Sequence, residues 1–490
     1  MKILIFLTIL LVSNVFGAIH TVTSSNDSGI GTLREKIEIS ANGDTILFSN
    51  NVNTVWLSGE PYLLDEKALT IDGGSNGVTI NRFAGIGGFF ELFSQDLTFI
   101  DTTYFANLSL INGDGDTDSA IFNIGMNMEI ENCDILNYIN GRILHILGTK
   151  YVKAINSNFH NNTGDCYFLA VSSVLIENIS FQSNNGSFII DSDTLDFNKS
   201  LITGNISSSS SFILFTKNGL IKNSTITGNS NEALVNNGSG IYFFDSSNVE
   251  IQNCTITDNS ILSGQLGGGI YNEGGNVTIR NSIIANNTAG GSPSNLSGDF
   301  VSGGFNIIAD TSGSTITGQT FVDFYNVDST SLGLLPLADN GGFTETIGLS
   351  PNSIAFNNGS QLNSPLTDQR GFLRDSLPDI GAFEFNAVSR IEENEFVSPE
   401  LFQLSQNFPN PFNPQTLINY ELGNWNYESK LVIFNILGEK VKEFTLSETQ
   451  GTVVWNGTNF GNKQVSSGVY FYRIETGNKF SQTKKMVFIK

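Results

Sequence analysis

Apolar and polar residues alternate in short runs along the chain, and the runs repeat. Aligned on one position, the sequence reads YFANLSLINGD at Tyr104, MEIENCDILNY at Met128, VKAINSNFHNN at Val152 and VLIENISFQSN at Val174, then LDFNKSLITGN at Leu195, GLIKNSTITGN at Gly219, VEIQNCTITDN at Val249 and VTIRNSIIANN at Val277. The anchor is Asn107, Asn132, Asn156, Asn178, Lys199, Asn223, Asn253 and Asn281, at spacings of 25, 24, 22, 21, 24, 30 and 28 residues. A period of this size with uneven loops predicts a solenoid, one coil per repeat. Two positions before the anchor lie Phe105, Ile130, Ala154, Ile176, Phe197, Ile221, Ile251 and Ile279, and three after it Leu110, Ile135, Phe159, Phe181, Ile202, Ile226, Ile256 and Ile284. Both columns are almost wholly apolar. Inward residues before the anchor alternate with period two, while the next apolar column has the opposite parity, so the chain turns a corner at the anchor.

A third apolar pair, eleven and nine residues before the anchor, is Tyr167 with Leu169, Phe188 with Ile190, Phe212 with Leu214, and Tyr242 with Phe244. Three strands per coil predict an all-β fold, a parallel β-helix of triangular section. Asparagine suits the bend because its amide both donates to and accepts from its equivalents in neighbouring coils. Asn107, Asn132, Asn156, Asn178, Asn223, Asn253 and Asn281 are therefore expected to form a structural ladder.

Composition narrows the class. The 490 residues include 50 Gly, 38 Phe, 3 His and 4 Met, which favours turns and strands over helices. A formal charge of -23 without an acidic block argues against nucleic-acid partners and anionic lipid. Cys133 and Cys254 share a column five coils apart, about 24 Å at one strand spacing per coil, too far for a disulfide; buried free thiols are expected.

The N-terminus, Met1-Lys2 followed by an apolar run from Ile3 to Val12 and a small-residue exit at Val15-Phe16-Gly17, reads as a secretory signal peptide cut after Gly17. No later run is long enough to span a bilayer, so no transmembrane segment is expected in the mature chain. Thr32-Leu33-Arg34-Glu35 predicts a capping box that opens a short helix with Leu33 and Ile37 on one face, covering the open end of the first coil.

Two resemblances follow from longer motifs. TVTSSNDSGIGTLREKI with ANGDTILF near the start, LLPLADNGGFTETIGLSPNSIAFNNG at Leu334 and TDQRGFLRDSLPDIGAFE at Thr367 resemble the entry and closing segments of bacterial right-handed β-helix proteins of the polymorphic outer-membrane and choice-of-anchor Q kind. The departure is Phe356-Asn357-Asn358, where that family usually has an Ile-Asp-Ala type sequence. Further on come FQLSQNFPNPFNPQTLINYEL at Phe402, KLVIFNILGEKVKEF, GTVVWNGTNFGNKQVSSGVYFYRIETG and KKMVFIK. Their period-two alternation predicts a small β-sandwich, and the set is similar to the type A sorting domain of the type IX secretion system. That likeness implies passage across the outer membrane to the cell surface or medium, with the secretion machinery as partner and removal of the domain usual on arrival. The expected organisation is signal peptide 1–17, N-terminal cap 18–50, coils 51–310, closing region 311–385, linker 386–400 and sorting domain 401–490.

Candidate chemistry is sparse. Asp114, Asp116 and Asp118 place carboxylates at alternate positions, a spacing that can converge on Ca2+, against the plain reading of a solvated turn; no other cofactor is expected. Gly73-Gly74-Ser75-Asn76-Gly77 has the nucleophile-elbow spacing but leads into VTINRF, a strand pattern, where that chemistry needs a helix. His145 falls in the third apolar column and is expected in the core; His160 is expected outside. A lyase needs a base and clustered cations or Ca2+ around a uronate, but Arg142, Lys150, Lys153, Lys199, Lys217, Lys222 and Arg280 form no obvious cluster. A glycosidase needs two carboxylates about 5 to 10 Å apart, for which Asp165, Glu177, Asp191 and Asp193 are candidates. Three readings stand: a noncatalytic adhesin-like or glycan-binding surface protein, whose partner is an extracellular polysaccharide or surface glycan; a carbohydrate-active enzyme, lyase or hydrolase; and a stalk without a ligand. The first is favoured.

Overall fold

The computed structural model describes residues 17–489, apart from 84–86, 95–100, 116–118, 209, 233–237, 263–265, 320–321, 363, 388–402, 405, 408, 422–428, 436–438, 447–449, 462 and 477–478. The signal-peptide segment 1–16, nearly all of the expected linker, and Asp116 and Asp118 lie outside the described residues. The chain divides into two compact units, Met1–Arg390 and Ile391–Lys490.

The first unit is a parallel β-solenoid of about 11 turns. The column two before the anchor pairs rung to rung from Phe105 through Ile130, Ala154, Ile176, Phe197, Ile221 and Ile251 to Ile279. The column three after it runs likewise from Leu110 to Ile284. Both columns belong to one continuous core. Between them the anchor takes the left-handed conformation, with φ between 46° and 55° in all eight coils, which explains its preference for asparagine.

The third column is corrected by the structure. Phe188, Ile190, Phe212 and Leu214 point inward, but their partners in the neighbouring coils are Cys166, Phe168, Ile241 and Phe243, so Tyr167, Leu169, Tyr242, Phe244 and His145 face outward. The corner between this strand and the anchor strand differs by one residue from coil to coil, and a one-residue slip turns every side chain to the other face. Counting back from the anchor crosses that corner.

The entry segment caps the stack. Thr32 is the N-cap of helix Leu33–Ile39 and accepts from the Glu35 amide at 3.3 Å, while the Glu35 carboxylate accepts from the Gly31 amide at 2.6 Å. Leu33 and Ile37 are buried against the first coils.

The closing region folds back along the flank of the coils. Its hydrogen bonds reach Ser200 from Gln369, Asn223 from Arg374, Asn253 from Ser364 and Asn281 from Ser360. Strands Thr225–Thr227, Thr255–Thr257 and Ile283–Ala285 are therefore buried on both faces. Inside this strap lies an ionic network: Arg374 pairs with Glu384 at 3.1 Å and Arg370 with Asp368 at 2.6 Å, all nearly solvent-free. Burial pushes the Asp379 carboxyl up to about 7, with the Glu384 charge adding to it; burial raises Glu384 as well.

This network carries a pH dependence. A carboxyl raised from about 3.9 when unfolded holds its proton more tightly in the folded chain, so its contribution to stability is complete below pH ~4 and is lost as pH rises through about 7. Thermal melting of the first unit is expected to fall by about 2 °C or more between pH 5 and pH 8, and Asp379→Asn to flatten that slope.

The second unit is a sandwich of two antiparallel sheets. One contains Gln403–Leu404, Thr416–Glu421 and Gln450–Trp455; the other contains Ser429–Phe434, Lys440–Leu446, Gly468–Thr476 and Lys479–Phe488. Ile418 and Trp455 from the first share a core with Leu431, Ile433, Tyr472, Met486 and Phe488 from the second. Phe412 of the Pro-rich entry is wedged between Trp455 and Phe488, with ring centroids 5.5 and 5.0 Å away.

Candidate functional site

The outward side of the strand that precedes the anchor strand carries two columns of aromatic and aliphatic residues. One outward column runs rung by rung through Leu63, Glu91, Phe122, His145, Tyr167, Ile189, Ile213, Tyr242 and Tyr271. A second, two residues along, contains Phe93, Ile124, Leu147 and Leu169, and further up Phe215 and Phe244 stack with centroids 3.6 Å apart. Parallel in-register pairing puts successive members one strand spacing apart, so Phe122 to Tyr271, six rungs, spans about 29 Å.

The rings touch along the axis. Phe122 and His145 are 5.3 Å apart, His145 and Tyr167 5.9 Å, and Tyr242 and Tyr271 5.1 Å. Arg142 lies over the Tyr167 ring at 5.2 Å and contacts His145 Nδ1 at 3.2 Å. Partial burial, with the Arg142 charge adding to it, holds His145 below the usual histidine range, so it presents a neutral ring at pH 7. The tyrosine edges are fixed: Tyr167 donates to Asp165 at 2.9 Å and Tyr242 to Glu273 at 3.0 Å. At the N-terminal end of the stripe Leu63, Asp65, Glu91, Phe93 and Phe122 line an open groove of about 440 Å³. The result is a long strip of aromatic and aliphatic carbon bordered by hydroxyls and carboxylates, the chemistry that stacks on the C–H faces of sugars and hydrogen-bonds their hydroxyls.

Of the carboxylates singled out from the sequence, Asp191 and Asp193 share the strand Phe188–Asn198, and Asp165 and Glu177 are held by their own contacts. Asp165 accepts from Ser187 N at 2.6 Å and from Tyr167. Asp193 pairs with Lys217 at 2.6 Å, and Asp191 lies opposite Phe215. Glu177 sits beside the anchor of its coil, paired with Lys199 at 3.0 Å. Each positive partner is used locally, as are Lys153 with Glu129, Lys222 with Asp196 and Arg280 with Glu250. Asp114 forms a bridge with Ile139 and accepts from Asn140 at 3.1 Å. Among the described residues no cluster of three His, Cys, Asp or Glu side chains has metal-binding geometry. Ser75 is exposed in a turn between strands Thr70–Asp72 and Val78–Arg82. The His160 ring meets its neighbour Asn161 at 3.2 Å. The three cysteines are buried and free, and burial pushes the thiols of Cys133 and Cys254 up to about 12.

The anchor column is only partly a ladder. Asn132 donates to Asn107 at 3.3 Å, Asn178 to Asn156 at 2.9 Å and Asn281 to Asn253 at 3.5 Å, but Asn107 itself donates to Asp72, and the Asn223, Asn253 and Asn281 side chains also meet the strap. A continuous ladder stands six residues on, at Asn162, Asn184, Asn205, Asn229, Asn259 and Asn287, ending on Asn295. Each of these six side-chain amides donates to the next Oδ1 at 2.8 to 3.1 Å, and the same Oδ1 accepts the backbone N–H of the donor residue. The aligned repeats carry the signal, since six of the eight copies end in asparagine; the residue before it is left-handed in every coil, with φ between 54° and 65°.

Comparison with known proteins agrees with these two units. Residues 143–321 match the family described as right handed beta helix region, and residues 406–490 match the secretion system C-terminal sorting domain. No curated protein matches the chain. Among the described residues no helix is long and apolar enough to cross a membrane. The chain is thus a β-helix protein with a sorting tail that directs it through the type IX system to the cell surface or extracellular space.

Proposed function

We propose that this protein is a noncatalytic, adhesin-like binder of extended glycans, with the sugar chain lying along the outward aromatic stripe. The observation that carries the reading is the outward column in which Phe122, His145 and Tyr167, then Ile189 and Ile213, then Tyr242 and Tyr271 follow one another at one strand spacing per rung. Asp65, Glu91, Asp165, Asp191 and Glu273 border it, which favours neutral polysaccharides over polyuronates. Binding rather than cleavage is supported by the local pairing of three of the four candidate carboxylates, Asp165 with Tyr167, Glu177 with Lys199 and Asp193 with Lys217. The closing motif from Thr367 to Glu384 supports a choice-of-anchor Q-like kinship.

The test is a panel of neutral and uronic-acid polysaccharides, in Ca2+ and in EDTA, read both as retention and as new reducing or unsaturated ends. Retention of neutral polymers without new ends is expected, and Tyr167→Ala with Tyr242→Ala is expected to weaken it at least about tenfold, a loss of about 1–3 kcal/mol per stacked ring by analogy with other aromatic platforms. New chain ends would replace this reading with the enzymatic one, and strict Ca2+ dependence would redirect attention to Asp114.

A further inference from the structure

Among the described residues the first strand of the solenoid, Ile19–Val22, pairs with one strand, Thr45–Phe48, so its attachment depends on what secures its start. Thr45 N donates to Ala18 O at 2.8 Å. Ala18 N in turn donates to Asp44 Oδ1 at 2.7 Å, and the other oxygen of that carboxylate receives Ala41 N at 2.8 Å and faces His20 Nε2 at 2.8 Å. Asp44 is 6 % exposed. One residue earlier the chain is crowded: a side chain at Gly17 would bring its Cβ within 1.9 Å of the Gly43 carbonyl oxygen.

We propose that Asp44 is the receiving site for the amino terminus created when the leader is removed between Gly17 and Ala18. This builds on the sequence reading of residues 1–17 as a signal peptide and is independent of the glycan-binding reading. Hydrolysis adds water across that bond, leaving a carboxylate on Gly17 and an amine on Ala18. The amine takes up a proton at neutral pH, so a neutral amide donor becomes an ammonium ion hydrogen-bonded to a carboxylate. Asp44 is poised for it. His20, then the Ala41 and Ala18 amides, hold its carboxyl below the usual carboxylate range, so it is charged when the ammonium appears. Processing during export thereby fastens the first rung, and the solenoid acquires its final N-terminal edge only after the leader is gone.

The exported protein is sequenced from its N-terminus, and hydrogen exchange at residues 19–22 and 45–48 is compared between the full chain starting at Ala18 and the same chain with that amine acetylated. Acetylation removes the charge, leaves one amide N–H facing Asp44 as in the uncleaved chain, and puts a carbonyl and a methyl where the carbonyl and α-carbon of Gly17 stood. The expected result is a start at Ala18 and exchange about tenfold faster after acetylation, with Asp44→Asn erasing the difference between the two forms. A start at another residue, or equal exchange with and without the charge, overturns the proposal. Since Asp44 also holds Ala41, a poorly folded Asp44→Asn chain would leave the acetylation comparison to decide.

Discussion

Asn229→Ala is expected to cost the solenoid about 3–5 kcal/mol. Asn229 Oδ1 accepts the backbone N–H of Asn205 at 3.1 Å and its side-chain amide at 2.9 Å, and Asn229 Nδ2 donates to Ile202 O at 3.0 Å and to Asn259 Oδ1 at 2.8 Å. Both ladder neighbours are fully buried, so water cannot replace the lost partners, and each orphaned group costs about 1–3 kcal/mol. Asn229→Asp removes the donor while adding a buried charge and is expected to be at least as damaging. Hydrogen exchange of the full chain under mild urea, resolved by peptide, checks this: protection is expected to fall across the coils flanking residue 229. The sorting unit, whose core is separate, is expected to keep its own protection.

Arg374→Met is the second large effect. The Arg374 and Glu384 side chains are 3 % and 1 % exposed, and Arg374 also donates to Asn223 Oδ1 at 3.2 Å and to Gly381 O at 2.8 Å. Removing one partner of a buried pair leaves an uncompensated charge, at about 3–5 kcal/mol. The strap is expected to open first, exposing the segment around residues 367–385 to limited proteolysis while the coils stay folded. Arg374→Met with Glu384→Gln removes both charges and is expected to cost less than Arg374→Met alone.

The repeat made most of the first unit legible. Two apolar columns flank the anchor corner at fixed offsets in every aligned coil, so counting from Asn132 or Asn253 lands on Ile130 or Ile256 without error. Counting across the next corner fails because its length varies: Ala170, at φ 54°, sits in an irregularity that shifts the register between Phe168 and Val171. Counting from the anchor therefore places His145, Tyr167 and Tyr242 in the core, and the same slip hides the outward stripe they form. The inner asparagine ladder was visible in the alignment but had no apolar signature to draw attention to it. The strap was illegible for a different reason. Its partners, such as Ser200 for Gln369, lie up to 169 positions away, and no local pattern announces a contact of that range.

The binding claim is tested most directly by affinity for a neutral oligosaccharide series of increasing length, measured by calorimetry on the wild-type chain and on the Tyr167→Ala, Tyr242→Ala variant. The account predicts affinity that climbs until the ligand spans about 29 Å, the six rungs from Phe122 to Tyr271, and a flattened curve in the variant. Affinity independent of length, or a variant that binds as the wild type does, would contradict it.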